Sequence, residues 1–257
     1  MIALPVLAAL LYGGGVPREP LQSKVSPQTI PVGMFYNGAD VTVEGAVAAG
    51  SGAIVTVTGS ESEAIFNKKA RFGPVWVNSG KVRISGAPSL FLRFSSAPIA
   101  GLLGPDVIAR YRLDDSSLVR AMRIEPRSKD ERTEAALGRD YLSLKKSDGT
   151  YILAGGSIDL SAAGGGSSFA LRFRWPKQAP PGAYQVHVYE VTGGAVVRTA
   201  EMPVSVIRTG FPAWLAFLAG NHASRYGITA VVIGVLAGFG IDFLTTLLFG
   251  KKRAVSH

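Results

Sequence analysis

"PKQAPPGAYQVHVYEVTGGAVVRTAEMPVSVI", residues 176–207, decides the fold. β-branched and aromatic residues recur in it at period two, on both sides of Gly193-Gly194. It reads as a loop, a strand, a hairpin turn, a strand and a final strand. Just upstream, "FALRFRW" (169–175) puts Phe169, Leu171, Phe173 and Trp175 on one face and Arg172 and Arg174 on the other. Further back, "ADVTVEG" (39–45), "AIVTVTG" (53–59), "VWVN" (75–78), "KVRIS" (81–85) and "LFLRF" (90–94) repeat the pattern between Gly- and Pro-rich punctuation. Many short strands with such turns predict a mainly β chain, an immunoglobulin-like β-sandwich.

Residues 105–150 interrupt the strands with a charge-rich segment. In "SKDERTEAALGRDYL" (128–142), Ser128 stands as a cap with Glu131 three residues on, which predicts a helical insertion across one end of the sandwich. "AGGGSS" (163–168) reads as a loop.

The two ends of the chain differ from its middle. Ile228 to Phe249 is nearly all apolar, with Asp242 its only formal charge. At 1.5 Å per residue it covers roughly 30 Å or a little more, the thickness of a bilayer core. Lys251, Lys252 and Arg253 follow at once, so the tail is expected on the cytoplasmic side and the bulk of the chain across the membrane. In "FPAWLAFLAGNHASRY" (211–226), Phe211, Trp214, Leu215 and Leu218 share a helical face, and Arg225 and Tyr226 fall where the interface begins. Trp214, Arg225, Tyr226, Lys251, Lys252 and Arg253 are the expected interface anchors, with packing of 211–226 against the sandwich as the alternative. "IALPVLAALLY" (2–12), followed by three glycines, resembles an export signal without a basic start. The expected organisation is a signal-like segment 1–16, a sandwich 17–210, a juxtamembrane helix 211–227, a span 228–250 and a tail 251–257.

Composition narrows the function classes. The chain has 257 residues, a net charge of +9 and no cysteine, which excludes disulfides, thiol nucleophiles and cysteine metal sites. Its cations are scattered and no nucleic-acid motif accompanies them, so they read as a basic surface facing anionic lipid, or as an anion site.

"FYNGADVTVEGAV" (35–47), "KKARFGPVWVNSGKVRISGAPSLFLRFSSAPI" (68–99), "FRWPKQAPPGAYQVHVYEVTGG" (173–194) and "RTGFPAWLAFLA…RYGITAVVIGVLAGF" (208–239) resemble, in this order, the alphaproteobacterial putative transmembrane protein family. The most specific marks are Trp76-Val77-Asn78, Ala87-Pro88-Ser89 and Pro181-Gly182-Ala183-Tyr184. Leu90-Phe91 stands where the family usually has Phe-Tyr, and Asp242 where its helix is normally uncharged. The resemblance implies a signal sequence, a periplasmic domain and a single C-terminal span in the inner membrane. It supplies no activity; members are often encoded near permeases of the sulfite-exporter type, which points to a membrane-protein partner.

Candidate chemistry is sparse. His187 shares a strand face with Gln185 and Tyr189, His222 is close to the membrane segment and His257 lies in the tail. None has metal-ligand spacing, and Asp114-Asp115 reads as a solvated turn. Neither an enzyme activity nor a cofactor is expected. Trp76 and Asn78 lie on one side of a strand: either a core Trp beside a turn-forming Asn, or a surface for a peptide or small anion completed by Phe35, Tyr36, Arg83 and Arg93. Within the span, Gly234 and Gly238 form a small-xxx-small pattern, and Asp242 falls on about the same face, a candidate helix–helix contact. The expected role is an interaction or accessory subunit of a membrane complex; the alternative is a solute-binding module serving a permease.

Overall fold

The computed structural model describes residues 21–125 and 131–249. In chain order it opens with strands β1 (Ser23–Ser26), β2 (Thr29–Val32), β3 (Ala39–Ala48), β4 (Gly52–Gly59), β5 (Glu61–Phe72), β6 (Val75–Pro88) and β7 (Phe91–Ser95). Helices α1 (Ile99–Leu102), α2 (Pro105–Arg110) and α3 (Asp115–Ala121) follow, then β8 (Arg123–Glu125), α4 (Glu131–Ser147) and β9 (Tyr151–Ala154). The chain returns to strands in β10 (Ser161–Ala163), β11 (Gly166–Trp175), β12 (Gly182–Thr192) and β13 (Ala195–Arg208), and closes with helices α5 (Gly210–Asn221) and α6 (Ala223–Phe249). It is mainly β. The signal-like segment, Ser128 and the Lys251, Lys252 and Arg253 tail lie outside the described residues.

Two sheets enclose the main core. One has the order β1-β3-β11-β10, the other β2-β13-β12-β4-β7-β9. From the first, Val41, Val43, Phe169, Leu171 and Trp175 point inward; from the second, Val55, Val57, Leu92, Tyr184, Val186, Val188 and Val204 meet them in one buried cluster. Trp175 is fully buried, and its ring meets Tyr184 edge-on at 5.0 Å. Alternation along "FALRFRW" does what the sequence predicts, with Arg172 exposed opposite that core. The segment after Gly193-Gly194 is one continuous strand, β13, rather than two. Pro203 does not break it. Its missing N–H must point away from β12, on the side where β2 pairs only from Ser205 onward, so no ladder bond is lost.

The helical segment covers the outer face of the six-strand sheet instead of lying across one end. Ile54, Tyr189 and Val191 leave the main core and pack on Leu103, Ile108 and Leu113, while Phe91 and Tyr151 pack on Leu118 and Leu142. That cover is why β7 is buried on both faces, Arg93 included. Asp114 caps α3, accepting from the Ser117 N–H at 3.0 Å while the Ser117 hydroxyl receives the Asp114 N–H. Burial works to raise the Asp114 carboxyl, but its hydrogen bonds to Ser116 and Ser117 hold it below the usual range. Asp115 pairs with Lys146 of α4 at 2.5 Å. Adjacent aspartates here are a cap and a tie.

The third sheet, β5-β6-β8, grows out of the second. The β4–β7 ladder does not stop at Gly59: its N–H bonds the Leu90 carbonyl at 2.9 Å, the Ser89 N–H bonds the Ser60 carbonyl at 2.8 Å, and Glu61 pairs with Pro88. A Cβ on Gly59 would lie 2.2 Å from the Ser89 hydroxyl, 2.9 Å from the Tyr184 ring and 3.1 Å from the Leu90 nitrogen, so a side chain there would force its neighbours to shift. Gly86 is in a left-handed conformation, and a Cβ there would meet the Ala121 carbonyl at 2.9 Å, which fixes the base of the hairpin against α3. On one face Phe66, Val82 and Ile84 pack on Leu137 and Tyr141 of α4, Phe66 and Tyr141 edge-on at 5.7 Å.

Glu190 ties the two main sheets together. It is 2% exposed, accepts the Ala48 N–H of β3 at 3.0 Å and receives the Arg198 Nε. Burial works to raise its carboxyl, but Arg198, the Ala48 amide and Ser51 outweigh it and hold it below the usual range. Its contribution is therefore full above the unfolded value of about 4.3 and is lost as pH falls through the lower folded value. Arg198→Met should cost about 3–5 kcal/mol at neutral pH by leaving the carboxylate buried without its counter-ion. The gap to the unsubstituted protein should narrow on acidification, as the isolated carboxyl protonates. Thermal unfolding of the detergent-solubilised chain at neutral and acid pH checks this; equal gaps at both would contradict it.

Candidate functional site

Register determines which end of the sandwich leads to α5 and α6. Gly59 lies opposite Tyr184, and Tyr184 opposite Val204. β4 and β13 therefore run the same way and finish at the same end. β2 runs parallel to β13, with Val32 opposite Arg208, and the Thr209 N–H bonds the Val32 carbonyl at 2.9 Å. Three features thus leave one end: the β2–β3 loop, the β5–β6 hairpin and the chain's exit into α5.

That end carries exposed apolar side chains. Met34 and Phe35 stand out of the β2–β3 loop, Phe35 at 93% exposure. At the hairpin tip Phe72, Val75, Trp76 and Val77 are exposed around Gly73-Pro74. On α5, Phe211 and Trp214 are exposed, their rings 5.7 Å apart. Cations accompany them. Arg71 at the tip donates its Nε to the Gly73 carbonyl at 3.1 Å, and Lys81 is exposed along the hairpin.

The residues grouped around Trp76 by the sequence are only partly brought together. Trp76 is 64% exposed, so the core reading is corrected: α4 covers only the inner half of the hairpin, and the buried core Trp is Trp175. Asn78 is exposed on the same side as Trp76. Phe35 and Tyr36 sit at the same end of the sandwich, but Tyr36 packs against the main core. Burial raises its hydroxyl above the usual value despite the Arg174 guanidinium. Arg83 is halfway along the hairpin and pairs with Glu63 at 3.1 Å. Arg93 is not on any such surface. It is 6% exposed, and its Nη1 donates to the Leu113 carbonyl at 3.0 Å beneath the helical cover. Burial lowers its basicity, partly offset by Asp115 and Asp114.

The remaining chemistry is limited. The His187 ring stacks on Tyr189 at 5.9 Å and its Nε2 lies 3.5 Å from Glu201, a cross-strand pair. Among the described residues no group of three or more His, Asp or Glu is placed to hold a metal. Between α3 and α4 an open cleft of about 550 Å³ is lined by Arg120, Arg139, Lys146, Asp115 and apolar side chains.

Ser224–Leu248 forms a helix long and apolar enough to cross a membrane, with none of it buried against the rest of the chain. α5 ends at Asn221, with His222 as its cap, so Arg225 and Tyr226 belong to the opening of this long helix and not to α5. A Cβ on Gly234 or Gly238 would meet nothing within 4 Å, and Asp242 is exposed one turn further on. The sequence reading missed Met34, Phe72, Val75 and Val77; the available signal was an aromatic and β-branched run bracketing a Gly-Pro turn.

A family described as "Putative transmembrane protein" (Alph_Pro_TM) matches residues 20–246. No curated protein and no solved structure matches the chain.

The hairpin's stiffness should depend on α4. Tyr141→Ala should cost about 3 kcal/mol of local stability by opening a cavity under Phe66 and Val82. Hydrogen exchange should then speed up at the β6 amides of 80–88 while β12 and β13 stay protected. Unchanged protection in β6 would mean that the ladder alone holds the hairpin.

Proposed function

The chain belongs to the Alph_Pro_TM family of transmembrane proteins, and on that premise we propose that it is a non-enzymatic, membrane-anchored accessory subunit that binds another membrane protein through its single span. The observation that carries this reading is the open face of α6. Gly234 and Gly238 leave room for close approach by a second helix, and an intramembrane carboxylate such as Asp242 is expensive unless it faces protein or water. The basic tail favours a cytoplasmic C-terminus and a periplasmic bulk. Lipid is the second partner.

The finer, immunoglobulin-like reading of the sandwich has two supports. The order β1-β3-β11-β10 against β13-β12-β4-β7 corresponds to A-B-E-D against G-F-C-C′. The Tyr184 hydroxyl, near the start of β12, donates to the Pro180 carbonyl, as in a tyrosine corner, and burial pushes it up to about 12. Such a domain is a common interaction scaffold, which agrees with a binding role.

A solute-binding module serving a neighbouring permease is the second reading. The cleft bearing Arg120, Arg139 and Lys146 favours it, although Asp115 already pairs with Lys146. Calorimetry of the solubilised chain with sulfite, sulfate or phosphate separates the two: saturable heat abolished by Arg120→Ala with Arg139→Ala supports the module.

The span test uses bulk. Gly238→Leu combined with Asp242→Leu raises hydrophobicity, so insertion is preserved, yet it should strip co-purifying membrane proteins from the chain in mild detergent. Each interhelical polar contact is worth only about 0.6–2 kcal/mol, so the double substitution is needed. Gly240→Leu, which adds the same bulk on the opposite face of α6, is the control. Equal recovery of a stoichiometric partner by both, read by mass spectrometry, would reduce α6 to an anchor.

A further inference from the structure

We infer that the tip of the β5–β6 hairpin is a second membrane contact, which dips Phe72, Val75 and Trp76 into the interfacial layer of the same bilayer that α6 crosses. The inference rests on α6 spanning that bilayer, not on the choice of protein partner.

Direction is the first argument. The hydrogen-bonded ladder runs from β4–β7 into the hairpin across Gly59–Leu90 and Ser60–Ser89, so the hairpin leaves the end of the sheet in the direction of β4, with bulges at Ser62/Ala64 and Lys68/Lys69 along it. β13 leaves the same end, heading into α5 and α6. Reach is the second. From Ser60 to Phe72 the strand extends about 40 Å at ~3.3 Å per residue. From the level of Val204 to the start of α6, the end of β13 and the helical rise of α5 give at most about 40 Å. A tip aimed along β4 therefore projects about as far from the sandwich as the start of α6 can, which puts it at the level of the bilayer surface.

Chemistry is the third argument. Phe72 and Val75 face one side of the tip and Trp76, beside Arg71 and Asn78, the other, so an exposed apolar side chain stands on each face. A protein groove needs one apolar face of a strand pair; an interface wraps both. Trp favours the headgroup layer, and Arg71 beside it and Lys81 farther back are placed to meet anionic lipid. Phe35 and Trp214 leave the same end and continue the aromatic set. The occupant to which these features commit is an anionic lipid surface.

The chain has no cysteine, so a single introduced one is the sole labelling site. Full-length chains carrying V75C, A195C or V235C would each be spin-labelled and reconstituted in vesicles of phosphatidylethanolamine with phosphatidylglycerol. Ala195 is at the opposite end of the sandwich, beside the Gly193-Gly194 turn. Depth is read from collisions with oxygen against collisions with a water-soluble nickel chelate. The oxygen-to-nickel ratio at position 75 should exceed that at 195 severalfold and stay below that at 235. Adding Phe72→Ser and Trp76→Ser to V75C should bring it down to the value at 195. If position 235 is deep while 75 matches 195, the hairpin is not in the bilayer and only this inference fails. If 235 itself is water-accessible, the span reading fails and takes the inference with it. A label at 75 that is wet in these vesicles but becomes immobilised in native membranes assigns the tip to a protein and overturns the lipid assignment. A double-serine chain that stays deep would also overturn it, since those side chains would not be what holds the tip.

Discussion

Two backbone hydrogen bonds, Gly59 to Leu90 and Ser89 to Ser60, carry more of this architecture than any side-chain contact. A strand pair leaving a sheet must keep its N–H and C=O groups bonded, or lose them to water one by one. Because this ladder is carried from β4–β7 into the base of β5–β6, the hairpin starts out in line with β4, and the bulge between Ser62 and Ala64 is where its course can change. The helical cover then follows: α4 finds its apolar seat between the hairpin base and the β7–β9 edge, and α1–α3 fill the outer face that β4 and β12 would otherwise expose.

How much of this is legible in the sequence depends on what each residue pattern encodes. Alternation in "FALRFRW" and the glycine pair at 193–194 identify β11, β12 and β13, and the long apolar run identifies α6. Alternation says which side chains share a face, but not whether anything lies against it. Trp76 and Arg93 fail for that one reason, in opposite directions. Trp76 looks like a core residue but projects beyond the reach of α4. Arg93 looks like an outward residue but is roofed by helices distant in sequence, where the Leu113 carbonyl accepts from it. The open face of α6 was legible because helical spacing alone places Gly234, Gly238 and Asp242 together. The shared end of the β2–β3 loop, the hairpin and the exit was not, because it depends on long-range register.

Burial and charge are arranged differently at the two ends. Opposite the exit, Glu190 joins β12 to the Ala48 amide of β3 and locks the sheets with a paired charge. At the exit, the exposed groups are aromatic and the cations are left on the surface. One end is closed by chemistry internal to the domain; the other presents its aromatic side chains to the outside.

The way β13 is held has a mechanical consequence. It is bonded to antiparallel β12 from Ala195 to Val206, and over Ser205–Arg208 to parallel β2. A tug on the anchoring helix arrives at the C-terminal end of β13 and acts along the strand. It therefore strains both flanking ladders in shear, many bonds at a time, instead of peeling them singly. The strand that leads into the membrane helix is thus held in a geometry that resists being pulled out, and a load on α6 is spread into both of its ladders.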